Sequence, residues 1–229
     1  MSDAHIAELV QLFSYYNVLL LLKGLLATFV LSVVGCLAGF LFGFLIAVVR
    51  LTRSPAMAPL RALAYLYCFL FRRIPFLITL MLVFFASQTS KLGLSTFSVA
   101  LVSVCLIAAA YLGEIIRSGL ESVHRNQWEA AQTLNFNYLE TLRYVIVPQG
   151  WRIIVPPTFS FFVMFIKDTA LASQIGVMEM TSASNVLTSK GFSAALVYGT
   201  ILILYFALSY PLSRFGKRLE RTLAATRNR

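Results

Sequence analysis

Long apolar runs separated by short polar segments organise this chain. The runs lie at residues 18–49, 62–88, 96–116, 153–175 and 192–212. An α-helix needs about 20 apolar residues to cross a bilayer, and the runs show none of the alternation expected of a membrane β-strand. The pattern therefore predicts an all-α membrane protein with five transmembrane helices in a single domain over residues 18–213.

Composition agrees with a membrane protein. The 229 residues are 59% hydrophobic and 12% charged, with a mean hydropathy of +0.80, whereas soluble domains are about one half apolar and about one quarter charged. The net charge of +10 comes from basic residues placed between apolar runs, so we attribute it to membrane topology and expect no nucleic-acid partner.

The two ends of the chain carry different signals. Residues 1–17 have apolar side chains at helical spacing and lack the basic start of a cleaved signal peptide, which predicts a retained amphipathic helix on the membrane surface; a frayed terminus is the alternative. Residues 214–229 form a basic tail. Arginine is concentrated in this tail, in the first loop and in the segment 117–152, so the positive-inside rule places the N-terminus outside and the C-terminus in the cytoplasm.

Three glycines in the first run predict a close helix contact. Gly35, Gly39 and Gly43 are spaced four residues apart, and small residues at this spacing let two helices approach closely in a membrane. Five helices are few for enclosing a solute pathway, so we interpret this face as support for pairing with a second membrane subunit.

The polar segment 117–152 predicts a bent pair of cytoplasmic helices. Residues 121–134 have helical periodicity, Asn135 tolerates the left-handed conformation of a sharp bend, and residues 138–147 form a second helix that we expect Pro148 to end. The small Ala130 and Ala131 would let a partner approach, and Glu129 offers it a carboxylate. A surface hairpin with no partner is the alternative.

Two groups of charged residues interrupt the apolar runs. Lys167 and Asp168 are adjacent in the fourth run, and Arg72 and Arg73 precede Pro75 in the second. Charges at membrane depth are costly unless they are paired or hydrated. Either pair of residues could face a solute pathway; alternatively, Lys167 and Asp168 cap a helix or pair with each other, and the arginines reach the cytoplasmic face.

Several motifs together resemble one family of membrane subunits. The polar segment resembles the EAA loop of ATP-binding-cassette (ABC) importer membrane subunits, in the version found in polar amino acid permeases of the histidine, glutamine and arginine type. The motifs that carry the resemblance are Tyr111-Leu112-Gly113-Glu114-Ile115-Ile116-Arg117-Ser118-Gly119, Gln127, Glu129-Ala130-Ala131-Gln132-Thr133-Leu134-Asn135, Pro148-Gln149-Gly150-Trp151-Arg152, Pro156-Pro157 and Lys167-Asp168-Thr169-Ala170-Leu171-Ala172-Ser173. The chain departs from the family in having Asn135 at a position that is usually glycine, and Arg72-Arg73-Ile74-Pro75 where Arg-Gly-Thr-Pro is usual.

The resemblance implies a fold, partners and site residues. The fold is the transmembrane domain of a type I importer with a coupling-helix hairpin, in the bacterial inner membrane. The implied partners are two copies of an ABC ATPase subunit, which bind the ATP, a second permease that is identical or homologous, and an extracytoplasmic amino acid-binding protein. The residues implied to couple to the ATPase are Gln127, Glu129, Ala130, Ala131, Leu134 and Asn135. Those placed near the substrate path are Arg72, Pro75, Lys167, Asp168 and Thr169.

Motifs for covalent chemistry are absent from the sequence. No phosphate-binding P-loop occurs, and the two histidines, His5 and His124, have no second ligand at metal-binding spacing. We therefore expect a transport subunit rather than an enzyme, with no cofactor or metal of its own. A stand-alone secondary transporter or channel is the alternative, and an inert scaffold or membrane enzyme is a third, weaker one.

Overall fold

The described part of the chain is helical throughout. The computed structural model describes residues 3–91 and 93–225, with side chains over 7–91 and 93–223, and these residues contain helices and no strands. The shorter helices are α1 (Asp3–Leu12), α3 (Ala58–Phe71), α4 (Phe76–Thr89), α6 (Arg125–Thr133) and α8 (Met180–Ser189). The long ones are α2 (Tyr15–Leu51), α5 (Thr96–Glu121), α7 (Tyr138–Ile175) and α9 (Ala194–Ala225).

Within residues 3–91 and 93–225, four helices are long and apolar enough to cross a membrane, and a fifth span is present if α3 and α4 are counted as one broken span. Each of the four long helices extends beyond the apolar run that predicted it; α5, for example, continues to Glu121 rather than ending at residue 116. Backbone hydrogen bonding does not stop where the apolar residues stop, so polar residues outside the lipid prolong the helices.

The predicted interruption of the second run is present. A break of four residues, Arg72 to Pro75, separates α3 from α4. Proline lacks a backbone N–H, and its ring disfavours helical geometry in the preceding residue. The chain leaves the helix before Pro75 for this reason.

Contacts between Cα atoms divide the chain into two compact units. The first comprises Met1–Gly35, Phe76–Val104 and Met164–Pro211, and the second comprises Cys36–Pro75, Cys105–Val163 and Leu212–Arg229. Residues 1–2 of the predicted N-terminal segment and residues 226–229 of the predicted tail lie outside the described residues.

In the first unit, α2 lies against the start of α8. Leu12, Leu21, Met180 and Leu187 belong to one buried apolar cluster. Gly24 permits the closest approach, because a Cβ atom there would lie 3.0 Å from the carbonyl oxygen of Glu179. This contact holds the N-terminus of α8 against the backbone of α2.

In the second unit, the glycine face of α2 is occupied by α5. A Cβ atom at Gly43 would lie 2.7 Å from the backbone nitrogen of Gly113, and Gly39 packs against Ala108. The prediction of a close helix contact is therefore confirmed. The interpretation that this face supports pairing with a second subunit is wrong, because a helix of the same chain covers Gly39 and Gly43.

The expectation that Pro148 ends a helix is also wrong. α7 begins with an α-helical turn, widens into a π-helical segment at Thr141–Ile146, and continues as an α-helix over Val147–Asp168 and a 3₁₀ segment over Thr169–Ile175. In the π segment the Val147 N–H donates to the carbonyl of Leu142, five residues back. A π turn supplies the local change in hydrogen bonding that lets a proline sit within a helix.

Candidate functional site

The predicted hairpin consists of α6, a tight bend and the first turns of α7. His124 precedes α6, and its Nδ1 accepts a hydrogen bond from the Asn126 N–H at 3.3 Å. Asn135 adopts a φ of 57°, so the predicted left-handed conformation is confirmed. Asn137 and Glu140 then form a capping box at the start of α7, with both hydrogen bonds present at 2.9 and 2.8 Å. Local side-chain chemistry thus defines both ends of the bend.

One face of the hairpin packs on its own unit. The Trp128 and Tyr138 rings stack with centroids 6.3 Å apart, and the Tyr138 hydroxyl donates to the carbonyl of Val48 at 2.9 Å. Ala131 is only 2% exposed. We predicted that Ala131 would offer a small surface to a partner; the structure instead buries its methyl group within the chain.

Several other side chains of the hairpin are exposed. Glu129 has a side-chain exposure of 57% and pairs with Arg125, with a distance of 2.9 Å from Nε to Oε1. Leu134 is 68% exposed, and so is Leu139, which the sequence motif did not single out. The structure also exposes the other predicted coupling residues, Gln127, Ala130 and Asn135.

A partly buried carboxylate and its cations form a second site in the same unit. Glu114 accepts hydrogen bonds from Arg50 at 2.6 Å and from Arg117 at 2.5 and 3.1 Å, and Arg72 Nη1 lies 3.2 Å from its Oε2 atom. The Arg50 side chain is 9% exposed and that of Glu114 is 19% exposed. A spacing of three residues favours the pair between Glu114 and Arg117, whereas the other two arginines come from α2 and from the break after α3.

Arg72 is held by more than this ion pair. Its carbonyl accepts a hydrogen bond from the Tyr111 hydroxyl at 3.1 Å, and its guanidinium lies 5.9 Å from the centre of the Tyr111 ring. Its side chain is 40% exposed and lines a cavity of about 270 Å³ together with Glu114. Arg73 behaves differently, since it is exposed and donates to the Phe69 carbonyl of its own helix. Pro75 lies in the break directly before α4.

The predicted path residues at the end of α7 lie in the first unit. Lys167 is exposed and Asp168 is half-buried, and within the part of the chain that the structure describes neither forms an ion pair within 4.0 Å. Thr169 is fully buried, and its hydroxyl donates to the Ile166 carbonyl at 2.7 Å. Lys167 and Asp168 therefore keep their polar groups available, whereas Thr169 uses its hydroxyl within the helix.

Glu179 is a buried carboxylate that sequence reasoning missed. It is 0% exposed, accepts from the Ser182 N–H at 2.8 Å to cap α8, and accepts from the Tyr205 hydroxyl at 3.1 Å. Burial raises the pKa of Glu179, although the hydrogen bonds from the backbone and from Tyr205 oppose this shift. A lone acidic residue between apolar segments was the available signal.

Comparison with known proteins shows the family. Residues 39–224 match the model of the binding-protein-dependent transport system inner membrane component. The chain belongs to this family. Its members are membrane components of transport systems rather than enzymes, and they work in general with an ATPase, a substrate-binding protein and a second permease.

Several named relatives align with most of this chain. It is 32% identical over 203 residues to the probable amino-acid ABC transporter permease protein YckA of Bacillus subtilis, covering 89% of this chain and 88% of YckA. It is 33% identical over 186 residues to the L-cystine transport system permease protein TcyB of the same species, covering 80% of each chain. The glutamine transport system permease protein GlnP of Escherichia coli is 31% identical over 206 residues, which is 89% of this chain and 93% of GlnP.

Solved structures show the same fold. A crystal structure of an amino acid ABC transporter with histidines superposes with a TM-score of 0.81 at 26% identity, covering 90% of this chain and 95% of the other. The MetNI methionine ABC transporter in an inward-facing conformation gives a TM-score of 0.79 at 22% identity, covering 92% and 99% of the two chains. The predicted fold, the transmembrane domain of a type I ABC importer, is confirmed, and this chain is an integral membrane permease subunit.

Proposed function

We propose that this permease subunit serves an ATP-driven importer of polar amino acids. The relatives named for amino acids in general, for cystine and for glutamine support this substrate class, as does the solved amino acid transporter. The family description supports a binding-protein-dependent importer over the stand-alone transporter or channel, and we set that alternative aside.

The hairpin couples the permease to an ATPase subunit in this proposal. The observation that carries it is that some side chains of the hairpin fix it to the chain while others stay exposed. The fixed side chains are Trp128, Ala131 and Tyr138, and the exposed ones include Glu129 and Leu134. Rigid exposed side chains suit docking, because a partner does not have to order them on binding.

The partners in this proposal are those with which members of the family work in general. Two copies of an ABC ATPase bind the ATP, a second permease, identical or homologous, completes the pathway, and an extracytoplasmic amino acid-binding protein delivers the substrate. The complex resides in the bacterial inner membrane, with the N-terminus outside and the C-terminus in the cytoplasm. The concentration of arginine in the first loop, the hairpin and the tail supports this orientation.

Arg72, Lys167 and Asp168 remain our candidates for the substrate path. Lys167 and Asp168 offer an ammonium and a carboxylate without ion-pair partners among the described residues, which suits the carboxylate and ammonium of an amino acid. Arg72 is already compensated by Glu114, so it does not by itself favour an acidic substrate. Pro75 and Thr169 would then shape the helix ends beside the path.

The test targets Glu129. We expect Glu129→Lys to abolish substrate uptake in proteoliposomes while the permease still folds. Because this change also places a cation beside Arg125, a second variant exchanges the two residues, Arg125→Glu with Glu129→Arg. The exchange keeps the ion pair within α6 but moves the carboxylate by one helical turn.

The exchange variant decides the role of the carboxylate. If an ATPase subunit binds the carboxylate at position 129, uptake stays lost in the exchange variant and the ATPase subunit fails to co-purify with the permease. Restored uptake in that variant would show that Glu129 acts only by stabilising α6 through its ion pair with Arg125. Full uptake by Glu129→Lys would contradict the coupling role of the hairpin altogether.

A further inference from the structure

A basic cleft in the second unit joins α6 to the loop between α2 and α3. Its larger part is a cavity of about 700 Å³ between the end of α2, the start of α3 and α6, and its smaller part is a cavity of about 470 Å³ against the first turns of α3. Arg50, Arg61 and Glu121 line both cavities. The two cavities therefore adjoin each other and form one recess.

One face of α6 forms a wall of this cleft. Arg125, Trp128, Glu129 and Gln132 line the larger cavity, and their spacing is that of neighbouring positions on one side of a helix. Glu129 and Gln132 are both exposed, so they lie at the mouth of the cavity. A partner that binds Glu129 therefore also covers this mouth.

The charges of the cleft are unevenly compensated. Arg125 pairs with Glu129, and Arg50 pairs with Glu114. Arg53 and Arg61, in contrast, have no carboxylate within 4.0 Å among the residues that the structure describes. The larger cavity is lined by four arginines and two glutamates, so its lining has a net charge of +2. An anionic group from outside the chain would compensate this charge.

Arg61 is held in place within the cleft. Its Nη1 donates to the Thr52 carbonyl at 2.6 Å, which ties α3 to the end of α2. A guanidinium has five N–H donors, so most of its donors remain available to a ligand. Arg53 is exposed on the loop between these helices, and both guanidinium groups line the larger cavity.

The other groups in the wall favour a protein carboxylate over a free polyphosphate. Glu121 and Glu129 line the same cavity, and a polyphosphate that filled it would place several negative charges beside these two carboxylates. A single carboxylate on a docked protein avoids them, because the rest of the interface fixes its position. Trp128 and Tyr138, which stack in the same wall, are of the residue types enriched in protein interfaces.

We propose that the ATPase subunit docks over this cleft as well as on the hairpin, and that an acidic side chain of the ATPase binds Arg53 and Arg61. This inference rests on the coupling role proposed above and extends the contact from α6 to the loop between α2 and α3. Because Arg61 also bonds to the end of α2, a movement of the ATPase would act on α2 and α3 directly as well as through the hairpin.

The test measures binding between the two subunits. The ATPase subunit that co-purifies with the full-length permease and hydrolyses ATP is separated from it, and its rebinding in detergent is followed by biolayer interferometry. Arg61 is half-buried and positioned, so we expect Arg61→Gln to weaken binding about tenfold, mainly through faster dissociation. Arg53→Gln removes an exposed charge and should weaken binding about threefold, mainly through slower association. The loss for Arg53→Gln should be present at about 50 mM KCl and vanish at about 500 mM KCl.

A matched control removes the same charge elsewhere. Lys217 and Arg221 lie exposed in the basic end of α9, and we expect Lys217→Gln with Arg221→Gln to bind the ATPase as the unmodified chain does. Arg53→Gln with Arg61→Gln should weaken binding about thirtyfold. Equal losses in the two double variants would overturn the inference, because net charge alone would then explain them.

A charge exchange tests the direct contact. Arg61→Glu should abolish binding, and a change of one acidic residue of the ATPase to lysine should restore it. Restored binding also shows that Arg61→Glu leaves the permease folded. If no such change in the ATPase restores binding, the proposed contact at Arg61 is wrong.

Glu129→Lys separates this inference from the coupling role on which it rests. If Glu129→Lys loses the ATPase while Arg53→Gln with Arg61→Gln binds it normally, the hairpin contact stands and the cleft contact falls. If Glu129→Lys binds the ATPase normally and the double arginine variant does not, the cleft contact stands and the role of Glu129 falls.

Discussion

Replacing Glu114 with glutamine tests how much the second unit depends on one carboxylate. Glutamine has nearly the same shape and keeps an oxygen acceptor, but it removes the negative charge that faces Arg50, Arg72 and Arg117. Arg50 is the decisive partner, because its side chain is only 9% exposed and hydration can compensate only in part for the lost carboxylate.

The expected loss follows from this burial. Removing one member of a buried ion pair costs about 3–5 kcal/mol, and we take about 3 kcal/mol because Glu114 retains 19% exposure. In a chain of 229 residues, about 1 kcal/mol shifts the midpoint of thermal unfolding by about 2–4 °C. Glu114→Gln should therefore lower Tm by about 6–12 °C.

The chain supplies its own control. Glu129 also pairs with an arginine, but the side chains of that pair are 76% and 57% exposed. Exposed pairs one helical turn apart contribute about 0.3–0.5 kcal/mol, so Glu129→Gln, with the same change of charge, should lower Tm by no more than about 2 °C. Both variants are compared with the unmodified protein in one detergent by thermal unfolding that follows tryptophan emission.

A double variant separates the ion pair from the rest of the cluster. Arg50→Gln with Glu114→Gln removes both partners, so the buried cation is no longer left alone. We expect its loss of stability to be at least about 1 kcal/mol smaller than the sum of the two single losses. Equal Tm shifts for Glu114→Gln and Glu129→Gln, or additive losses in the double variant, would refute the argument from burial.

Three further changes test other parts of the structure. Gly43→Ala places a methyl group against the backbone of α5 and should cost about 1–3 kcal/mol by thermal unfolding, whereas Gly199→Ala meets no atom within 4 Å and should not destabilise; equal costs would contradict the close contact. Asn135→Val forces a β-branched residue to a φ of 57° and should lower ATP-driven uptake, while Asn135→Gly should retain it; uptake by the valine variant at the normal rate would show that the bend is not needed. The pKa of Glu179 is raised, so its contribution to stability is fully present below its ordinary pKa of 4.5 and is lost as pH rises through the shifted value. When Tm is measured from pH 4 to pH 8, the Tm of the unmodified protein should therefore fall relative to that of Glu179→Gln. A constant difference between the two Tm curves would contradict the raised pKa.

The helices were predictable because the bilayer sets their length. Apolar runs of sufficient length located the four long helices and the bent pair formed by α3 and α4, and Pro75 correctly marked the break within that pair. The helix ends were less predictable. α5 continues to Glu121 and α7 passes through Pro148, because hydrogen bonding outside the lipid depends on neighbouring turns rather than on hydropathy.

The hairpin was predictable only where the signal was local. The bend at Asn135 depends on a single residue's backbone preference, so the sequence sufficed. Whether Ala130 or Ala131 faces outward depends on where the hairpin packs. Because both residues are alanines, the sequence does not distinguish them. The structure exposes the first and buries the second.

The charge cluster needed the tertiary structure. Arg50 contacts Glu114 across 64 positions of sequence, and no short-range spacing indicates such a pair. The same holds for Glu179 and Tyr205, which are 26 residues apart. Spacing along a helix favours only a pair one turn apart, such as Glu114 and Arg117, and gives no signal for pairs that join separate helices.

Because α7 contains a π-helical segment, the number of residues in that segment determines how the helix before it is oriented. A π turn holds one residue more than an α turn, so it rotates the preceding helical face by about 100°. Tyr138 lies on that face and reaches the Val48 carbonyl. A deletion of one residue within Thr141–Ile146 would restore regular α geometry and turn Tyr138 away from this carbonyl, while the helix beyond Val147 kept its own hydrogen bonds. Insertions and deletions among relatives should therefore avoid these six positions.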